Sequence, residues 1–360
     1  MQTKKLISVL VLLGIVAASL PACSSAATAT TTSSTTIAAG TTIASTVAAA
    51  SETTAAAAET TAAAAMPGKG GKGSMMGGAS VDTSSITQKW LDVAYASVSD
   101  AEKMDIYLPN DGTGPFPVII AIHGGAFMSG DKTGELAYLT QALKSGYAVV
   151  SINYRLSGEA IFPAAINDVK AAIRFLRANA DTYNLDTDKM ATWGGSAGGN
   201  LAALAATSGG VTALQDDTLG NAGQSDAVQA CIDWFGPINF TTMDDQFTAS
   251  GIAGQVHNTA DSPESAYLGA LITSVPDLVA ACNPETYITK DDPAFFIQHG
   301  TADILIPTQQ SIDFAAKLTA VLGADKVTYE SLEGAGHGDA AFTTTENVAK
   351  AIAFLDSVLK

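Results

Sequence analysis

Hydrophobic and polar residues follow two different spacings along residues 103–360. Continuous apolar runs such as VIIAI (118–122) and AVVSI (148–152) are typical of strands that are buried on both faces of a sheet. Between such runs, apolar residues recur three and four positions apart, as in the segment 162–184, and this spacing indicates amphipathic helices. Strands that alternate with helices predict an α/β fold, with a mostly parallel central sheet and helices on both faces.

The pattern also predicts approximate bounds for each element. Strands are predicted over 103–109, 116–125, 147–154, 189–194, 228–236, 293–300 and 327–334, and helices over 138–146, 162–184, 197–207, 309–323 and 345–360. The alternation stops between Asn239 and Asp292, and we interpret this segment as a short insertion that caps the ligand site. Because ligands of such sheets bind beyond the carboxyl ends of the strands, the residues directly after strands are the candidates for function.

Residues 1–23 have the pattern of an export signal. Two lysines precede the apolar run Leu6–Val16, which is too short to span a membrane, and small residues follow it. The ending Leu-Pro-Ala-Cys resembles the lipobox of bacterial lipoproteins, in which the cysteine becomes the acylated N-terminus. We therefore expect an exported lipoprotein anchored at the bacterial cell surface through Cys23. An ordinary secreted protein with an incidental cysteine is the alternative.

The next segment is predicted to be a disordered tether, residues 24–83. Residues 24–80 are nearly all Ala, Thr, Ser and Gly, with no aromatic residue, and cannot bury enough apolar surface to offset the entropy of ordering. The remainder, 84–360, suits one catalytic domain. The formal net charge of −17 argues against nucleic acid and against polybasic membrane binding, so the expected membrane contact is the lipid anchor alone. The oligomeric state is left open.

A candidate nucleophile lies at the end of the predicted strand 189–194. The sequence Gly-Gly-Ser-Ala-Gly around Ser196 fits the G-x-S-x-G motif in the context that the motif requires, a strand followed by a sharp turn and a helix. Gly194 and Gly198 allow the neighbouring backbones to approach closely. The helix N-terminus brings the Ala197 N–H and a positive dipole end near developing negative charge. A glycine-rich turn with an ordinary helix-capping serine is the alternative.

A catalytic serine needs a general base, and four histidines are available. His337 follows the last predicted strand and precedes the last helix, where it is able to reach Ser196. The other three have different interpretations. His123 opens a glycine-rich loop, His299 packs or makes local hydrogen bonds, and His257 lies in the insertion as a solvated or substrate-facing residue.

The base in turn needs a carboxylate that orients it, and Asp303 is the candidate. It follows the predicted strand 293–300, and the order Ser196, Asp303, His337 is the chain order of α/β hydrolases. Taken alone, Asp303 is also explained as a turn residue ahead of a helix. The rival carboxylates are Asp339, which is too close in sequence to the histidine, and Asp291 and Asp292, which precede their strand.

An oxyanion hole is predicted in HGGAF (123–127), directly after the strand that contains VIIAI. The expected donors are the backbone N–H groups of Gly125, Ala126 and Ala197, and Gly124 lets the loop turn. A tight glycine turn is the alternative. Catalysis by a serine, a histidine and an aspartate needs no metal or cofactor, and the sequence has no Cys/His cluster with the spacing of metal ligands.

The motifs HGGAF, GGSAGG, GTAD and GAGHG, in this order and spacing, resemble those of hormone-sensitive-lipase-like esterases with the α/β-hydrolase fold. The resemblance extends from about Lys103 to the C-terminus. INYRL, FPAAINDVKAAIRFLRANA and DWFGPINF are more similar still to exported bacterial carbohydrate esterases, which include feruloyl and acetyl-xylan esterases. The resemblance implies that Arg155 and Asp168 are structural polar anchors. Ala126 departs from the pattern, since many relatives have a third glycine there; a backbone N–H of alanine serves equally if its angles are allowed.

We therefore expect a serine carboxylic-ester hydrolase that forms an acyl-enzyme. The resemblance implies acetyl or feruloyl esters of plant polysaccharide as substrates. The near alternative is a broad short-chain carboxylesterase or lipase. A serine peptidase of the prolyl-oligopeptidase type and a non-catalytic surface binding protein are the other rivals; the chain is too short for the propeller domain of such a peptidase.

Two further groups of residues have open interpretations. Trp234 and Phe235, together with Phe247 and Tyr267 of the insertion, are candidates for lining an aromatic acyl pocket, although such residues are more often part of a core. Besides Cys23, the only cysteines are Cys231 and Cys282. An exported protein permits a disulfide between them, and two buried free thiols are the alternative.

Overall fold

The computed structural model describes residues 81–360. The predicted signal peptide, Cys23 and the predicted tether up to residue 80 lie outside the described residues. Among the described residues, no helix is both long enough and apolar enough to cross a membrane.

One eight-stranded sheet forms the centre of the domain. Its strand order is β1-β2-β4-β3-β5-β6-β7-β8, with β1, β2 and β4 pairing antiparallel and every later pair parallel. The strands are β1 (Lys89–Ala94), β2 (Lys103–Tyr107), β3 (Phe116–Ile122), β4 (Ala148–Ile152), β5 (Leu185–Gly195), β6 (Ala230–Trp234), β7 (Ala294–Gly300) and β8 (Val327–Leu332). The mostly parallel α/β fold predicted from the sequence is confirmed.

Helices cover both faces of the sheet. They are α1 (Leu136–Lys144), α2 (Ala164–Ala178), α3 (Ala180–Tyr183), α4 (Ala197–Thr207), α5 (Met243–Ser250), α6 (Pro263–Leu268), α7 (Pro276–Cys282), α8 (Gln309–Leu322) and α9 (Thr345–Leu359). Side chains of α1 and α9 contribute to one apolar core, and those of α2, α4 and α8 contribute to the other. Successive residues of β3 point into opposite cores: Ile119 joins the core of α1 and α9, and Ile120 joins the core of α2, α4 and α8. Because both faces of β3 are buried, its residues are apolar without interruption.

Two parts of the fold differ from the sequence-based expectation. The edge strand β1 was not among the predicted strands, because its side chains are half-buried or exposed and it has no continuous apolar run. The single helix predicted over 162–184 divides after Ala178 into α2 and the short α3. Asn184 then takes a left-handed backbone conformation (φ 55°), and β5 begins at Leu185, where it pairs with Phe116. This pairing outweighs the polar character of the first residues of β5.

The segment Asn239–Asp292 contains helices and turns and no strand, and the structure describes all of it. It contacts two loops that follow strands, the loop after β3 and the loop after β7. Tyr267 stacks on Phe127, directly after the HGGA sequence, with ring centroids 4.0 Å apart. The Gln255 N–H donates to the Ile304 carbonyl oxygen at 2.8 Å, in the loop after β7. The insertion therefore borders the predicted site.

The disulfide predicted between Cys231 and Cys282 is wrong. Within the described residues both are free, buried thiols. Cys231 lies inside β6, and the Cys282 thiol turns back to its own helix, where it donates to the Val279 carbonyl oxygen at 3.3 Å. Burial raises the pKa of both thiols. They act as small apolar side chains of the core, the alternative that the sequence left open.

Candidate active site

Ser196 lies at a sharp turn between β5 and α4. Its backbone has a positive φ of 57°, which is strained for a residue with a side chain. The Ser196 N–H donates to the Trp234 carbonyl oxygen at 2.9 Å, and its own carbonyl oxygen accepts from the Asn200 N–H at 3.1 Å. A Cβ added at Gly194 would overlap the Gly198 carbonyl, and one added at Gly198 would overlap the Ile122 carbonyl. The glycines of the motif thus make room for the turn that presents the serine.

The structure brings the three predicted triad residues together from the loops after β5, β7 and β8. His337 Nε2 lies 2.8 Å from Ser196 Oγ, and His337 Nδ1 lies 2.7 Å from Asp303 Oδ2. If Nδ1 carries the proton that is donated to the carboxylate, Nε2 has a lone pair that accepts the serine proton. The parallel strands explain the assembly, because their carboxyl ends meet at one edge of the sheet.

The Asp303 carboxylate is buried but well supplied with donors. Oδ1 accepts the N–H groups of Leu305 at 2.8 Å and Ile306 at 2.9 Å. Oδ2 faces His337 and also His299, whose Nε2 is 3.2 Å away. Burial alone would raise the pKa of Asp303, but hydrogen bonds from the two histidines outweigh it and hold the pKa well below its usual range. The carboxylate therefore stays ionised beside the imidazole.

The loop after β3 provides backbone donors next to the serine. Gly125, Ala126 and Phe127 all have positive φ, at 114°, 58° and 60°. In the described part of the chain, the N–H groups of Gly125, Ala126 and Ala197 have no hydrogen-bond acceptor. Alanine stands at position 126 with a positive φ, and its N–H is left free to donate in the described residues. Gly124 lies against the nucleophile turn: a Cβ there would be 2.8 Å from the Gly195 carbonyl oxygen.

A buried glutamate that sequence reasoning missed lies behind this loop. Glu135 accepts the Tyr138 hydroxyl at 2.5 Å and lies beside the Gly124 amide. Burial raises the pKa of Glu135 to about 6, although both donors oppose the rise. No sequence signal marks this residue, because a single glutamate ahead of a helix is common on protein surfaces. Its carboxylate thus links the Tyr138 hydroxyl of α1 to the Gly124 amide of the loop.

The remaining histidines support the site's loops. His123 Nδ1 lies 2.8 Å from the Gly124 carbonyl oxygen, and its ring stacks on Tyr154 at 4.4 Å. Burial lowers the pKa of His123, which favours the neutral ring. His257 is buried and paired with Glu264 at 3.0 Å, so the expectation of a solvated or substrate-facing residue is wrong.

The rival carboxylates take part in other contacts. Asp339 Oδ1 accepts the Ala341 N–H at 2.8 Å, at the start of a turn. Asp292 binds the Thr289 backbone and hydroxyl, and Asp291 forms an exposed pair with Lys290. In the described residues, the carboxylate that contacts the His337 ring nitrogens is that of Asp303.

The aromatic residues proposed for an acyl pocket belong to the core, and that prediction is wrong. Trp234 and Phe235 are fully buried, and Phe247 and Tyr267 are nearly so. Trp234 packs among aromatic rings of α1 and β5, while the Phe235 ring stands edge-on to the His337 imidazole with centroids 4.8 Å apart. Phe235 thus contacts the predicted base.

The anchor implied by the family resemblance is present as an ion pair. Arg155 Nε lies 2.9 Å from Asp168 Oδ2, its second guanidinium nitrogen lies 2.6 Å from Oδ1, and its backbone N–H also donates to Oδ2 at 2.8 Å. Asp168 is fully buried. This bidentate pair joins the loop after β4 to α2.

Comparison with known proteins agrees with this architecture. A family model described as BD-FAE matches residues 104–318. The probable carboxylic ester hydrolase LipM of Mycobacterium tuberculosis (strain ATCC 25618 / H37Rv) is 33% identical over 64% of this chain and 52% of its own length. The chain spans about half the length of the curated relatives it matches.

Two solved structures resemble the domain in sequence as well as in fold. A bifunctional GH43-CE protein of Bacteroides eggerthii is 38% identical with a TM-score of 0.68, over 75% of this chain and 35% of that one. A truncated carbohydrate esterase from gut microbiota is 33% identical with a TM-score of 0.70, over 76% of this chain and 97% of that one. The resemblance to esterases inferred from the motifs is confirmed. The chain belongs to the BD-FAE family, and its domain has the α/β-hydrolase fold of esterases.

Proposed function

We propose that this protein is a serine carboxylic-ester hydrolase that works through an acyl-enzyme. The observation that carries the proposal is the continuous hydrogen-bonded chain from Ser196 through His337 to Asp303, with contacts of 2.8 and 2.7 Å. This is the arrangement that a nucleophilic serine, a general base and an orienting carboxylate require.

The geometry supports a two-step reaction. Ser196 Oγ forms a bond to the ester carbonyl carbon while His337 Nε2 takes its proton, and the carbonyl oxygen becomes an oxyanion near the N–H groups of Gly125, Ala126 and Ala197. Collapse of this intermediate breaks the bond to the alcohol oxygen, which leaves with the proton from the imidazolium. Water then attacks the acyl-serine by the same route and releases the carboxylic acid and Ser196.

For the substrate class, we infer esters on plant polysaccharide or oligosaccharide, with acetyl or feruloyl acyl groups. The support is similarity to the carbohydrate esterase from gut microbiota and to the GH43-CE protein. A broad short-chain carboxylesterase is the second candidate, favoured by the similarity to LipM. Release of acetate from acetylated xylan or ferulate from feruloyl oligosaccharide supports the first; turnover of p-nitrophenyl acetate with neither release supports the second.

The nucleophile is tested by covalent labelling. We expect a fluorophosphonate probe to label the wild-type protein and p-nitrophenyl acetate to be hydrolysed, and both to be lost in Ser196→Ala. The matched control is Ser225→Ala, in an exposed loop, which should keep both. A folded wild-type protein that neither reacts with the probe nor hydrolyses any ester of the panel would overturn the proposal.

We also propose that the enzyme is exported and held at the bacterial cell surface by a lipid on Cys23. The support comes from the sequence: the apolar run Leu6–Val16, the Leu-Pro-Ala-Cys ending and the Ala/Thr/Ser/Gly-rich segment after it. Metabolic labelling with an alkyne fatty acid should mark the wild-type protein and not Cys23→Ser. Unlabelled wild-type protein in the culture medium would favour plain secretion.

A further inference from the structure

A second histidine, besides His337, contacts the triad carboxylate. His299 is the penultimate residue of β7 and is fully buried. Its Nε2 lies 3.2 Å from Asp303 Oδ2 and 3.1 Å from the Ile306 carbonyl oxygen. The mechanism above uses Asp303 but gives no role to His299.

The contacts determine which ring nitrogen of His299 carries a proton. Both neighbours of Nε2 are acceptors, a carboxylate and a carbonyl, so a lone pair there would be repelled by both. Nε2 therefore carries a hydrogen, which the two acceptors share. Nδ1 lies 2.7 Å from the hydroxyl of the buried Ser311 on α8, which donates to Nδ1 when the ring is neutral. Ser311 thus stabilises the tautomer that presents an N–H to Asp303.

We propose that His299 is a positioning residue for ester hydrolysis, acting through Asp303, and that Ser311 holds it in the required tautomer. The inference rests on the proposed function. It extends the hydrogen-bonded chain at the far end, so that the chain runs Ser311, His299, Asp303, His337 and Ser196.

The physical effect follows from what surrounds Asp303. With His299 in place, both oxygens of the carboxylate are held, Oδ1 by the backbone and Oδ2 by two imidazoles. Without it, Oδ2 has one donor fewer, the carboxylate is freer to rotate, and its negative charge is concentrated on the bond to His337. Charge concentrated there stabilises the protonated base, so a higher pH is needed to free it for catalysis.

The His299 ring has one charged contact in the described residues, Asp303. Within the described residues, the ring nitrogens of His299 contact Asp303, Ile306 and Ser311, of which Asp303 alone is charged. The Phe235 ring covers one edge, 6.4 Å away between centroids. The residue of β8 that pairs with His299 is the uncharged Ser331.

The experiment compares His299→Leu, which removes the donor, with His299→Gln, whose amide N–H occupies a place near that of Nε2. With p-nitrophenyl acetate we expect kcat of the leucine variant to fall roughly 10- to 100-fold, the size of losing a hydrogen bond to a charged group. KM should change little. The acid limb of the kcat/KM profile should move to higher pH, and the glutamine variant should recover most of both. Ser311→Ala should show the same shift with a smaller loss.

A double-mutant cycle separates positioning from a merely structural role. If His299 acts through Asp303, adding His299→Leu to the Asp303→Asn variant should lower kcat little further. An equal loss in both backgrounds, or a folded leucine variant with wild-type kcat and acid limb, would overturn the proposal. If the leucine variant does not fold, an unshifted acid limb in Ser311→Ala overturns it instead. Failure of the proposed function is recognised separately, as a wild-type protein with no turnover and no fluorophosphonate labelling.

Discussion

The two halves of the proposed active site are built in different ways. The nucleophile half, which comprises the turn 194–199 and the loop 123–129, is shaped by backbone contacts and positive φ angles. The acid–base half, which comprises the loops 300–308 and 333–339, also has backbone contacts, such as the Ala302 N–H to the Ala335 carbonyl oxygen at 2.9 Å, but its functional groups are positioned by side-chain hydrogen bonds. The first half should therefore be sensitive to added atoms. The second half should be sensitive to lost polar groups, and also to added atoms at Gly300, where a Cβ would overlap the Ala335 carbonyl.

The nucleophile half has little free space. Gly194 and Gly198 lie against backbone carbonyls with no room for a Cβ, and Ser196 and Ala126 have positive φ angles. Strain of this kind is maintained only when the surrounding structure determines it, here through β5, α4 and the end of β3. Rigid placement suits groups that must meet a developing oxyanion without moving.

The acid–base half is held from several directions at once. The Thr301 hydroxyl oxygen accepts the Gly334 N–H at 2.8 Å, and this hydrogen bond joins the loop 300–308 to the loop 333–339. From the insertion, His257 Nε2 lies 2.9 Å from the Leu305 carbonyl oxygen. Burial alone would lower the pKa of His257, but the hydrogen bond and charge of Glu264 raise it, which favours the ring form that donates from both nitrogens.

The largest effect is expected when Asp303 loses its charge. Asp303→Asn keeps the shape of the side chain, but an amide does not hold the Nδ1–H tautomer of His337 or stabilise its cation. We expect kcat to fall about 10⁴-fold, the loss known for the same change in a serine-protease triad. Hydrolysis of p-nitrophenyl acetate by the purified variant measures it.

The same variant tests the electrostatics of this half. Because the folded-state pKa of Asp303 is lowered, its ionisation stabilises the fold above the pKa of an unfolded aspartate, about 3.9, and this contribution is lost as pH falls through the folded value. The stability deficit of Asp303→Asn should therefore be larger at neutral pH than in acid. A deficit that does not vary with pH would contradict this account.

In the nucleophile half, the expected damage comes from a single methyl group. The Cβ of Gly198→Ala would overlap the Ile122 carbonyl, so β3 and α4 must separate. Overpacking of this kind costs roughly 1–3 kcal/mol or more of unfolding free energy, and the displaced turn should also reduce kcat. Thermal unfolding and esterase assays measure the two effects.

Gly223→Ala is the matched control for that change. Gly223 is exposed, and a Cβ there would meet nothing within 4 Å. Its unfolding free energy should stay within about 0.5 kcal/mol of wild type. If Gly198→Ala and Gly223→Ala changed the unfolding free energy and kcat equally, the close backbone contact at Gly198 would not be what makes this turn sensitive.

The sequence predicted the parts of this design that depend on local pattern. The helix over 197–207 has the predicted bounds, and the strands that precede Ser196, Asp303 and His337 were all predicted. Parallel strand topology then places the carboxyl ends of these strands at one edge of the sheet. The meeting of the three side chains was therefore predictable without knowing any interatomic distance.

Contacts between distant segments were not predictable in this way. The burial of Trp234 depends on Trp193 and Phe342, which reach it from another strand and from the turn before α9. The approach of His299 to Asp303 depends on the side chain's direction at the end of β7. A signal existed there, since the two residues are four positions apart, but sequence does not distinguish local packing from contact with the triad.

The smallest expected effect concerns Glu135, which contacts the loop 123–129 through the Gly124 amide. A pKa raised from 4.5 to about 6 means that the folded protein binds a proton that the unfolded chain has already lost in that interval. Stability from this group is thus fully present below pH about 4 and declines as pH rises through about 6, by about 2 kcal/mol in all. Glu135→Gln does not titrate, so its stability relative to wild type should improve between about pH 4 and pH 8.

Thermal unfolding of both proteins across that interval measures the change, with Glu159→Gln in an exposed loop as the control. The comparison of interest is the slope with pH, because the amide also alters the contact with the Tyr138 hydroxyl at every pH. A parallel pair of curves would mean that Glu135 does not titrate in this interval. If the two stability curves converge as pH rises and kcat changes little, the ionised Glu135 carboxylate destabilises the fold. The nucleophile half would then contain a destabilising polar group beside a loop that backbone contacts otherwise hold in place.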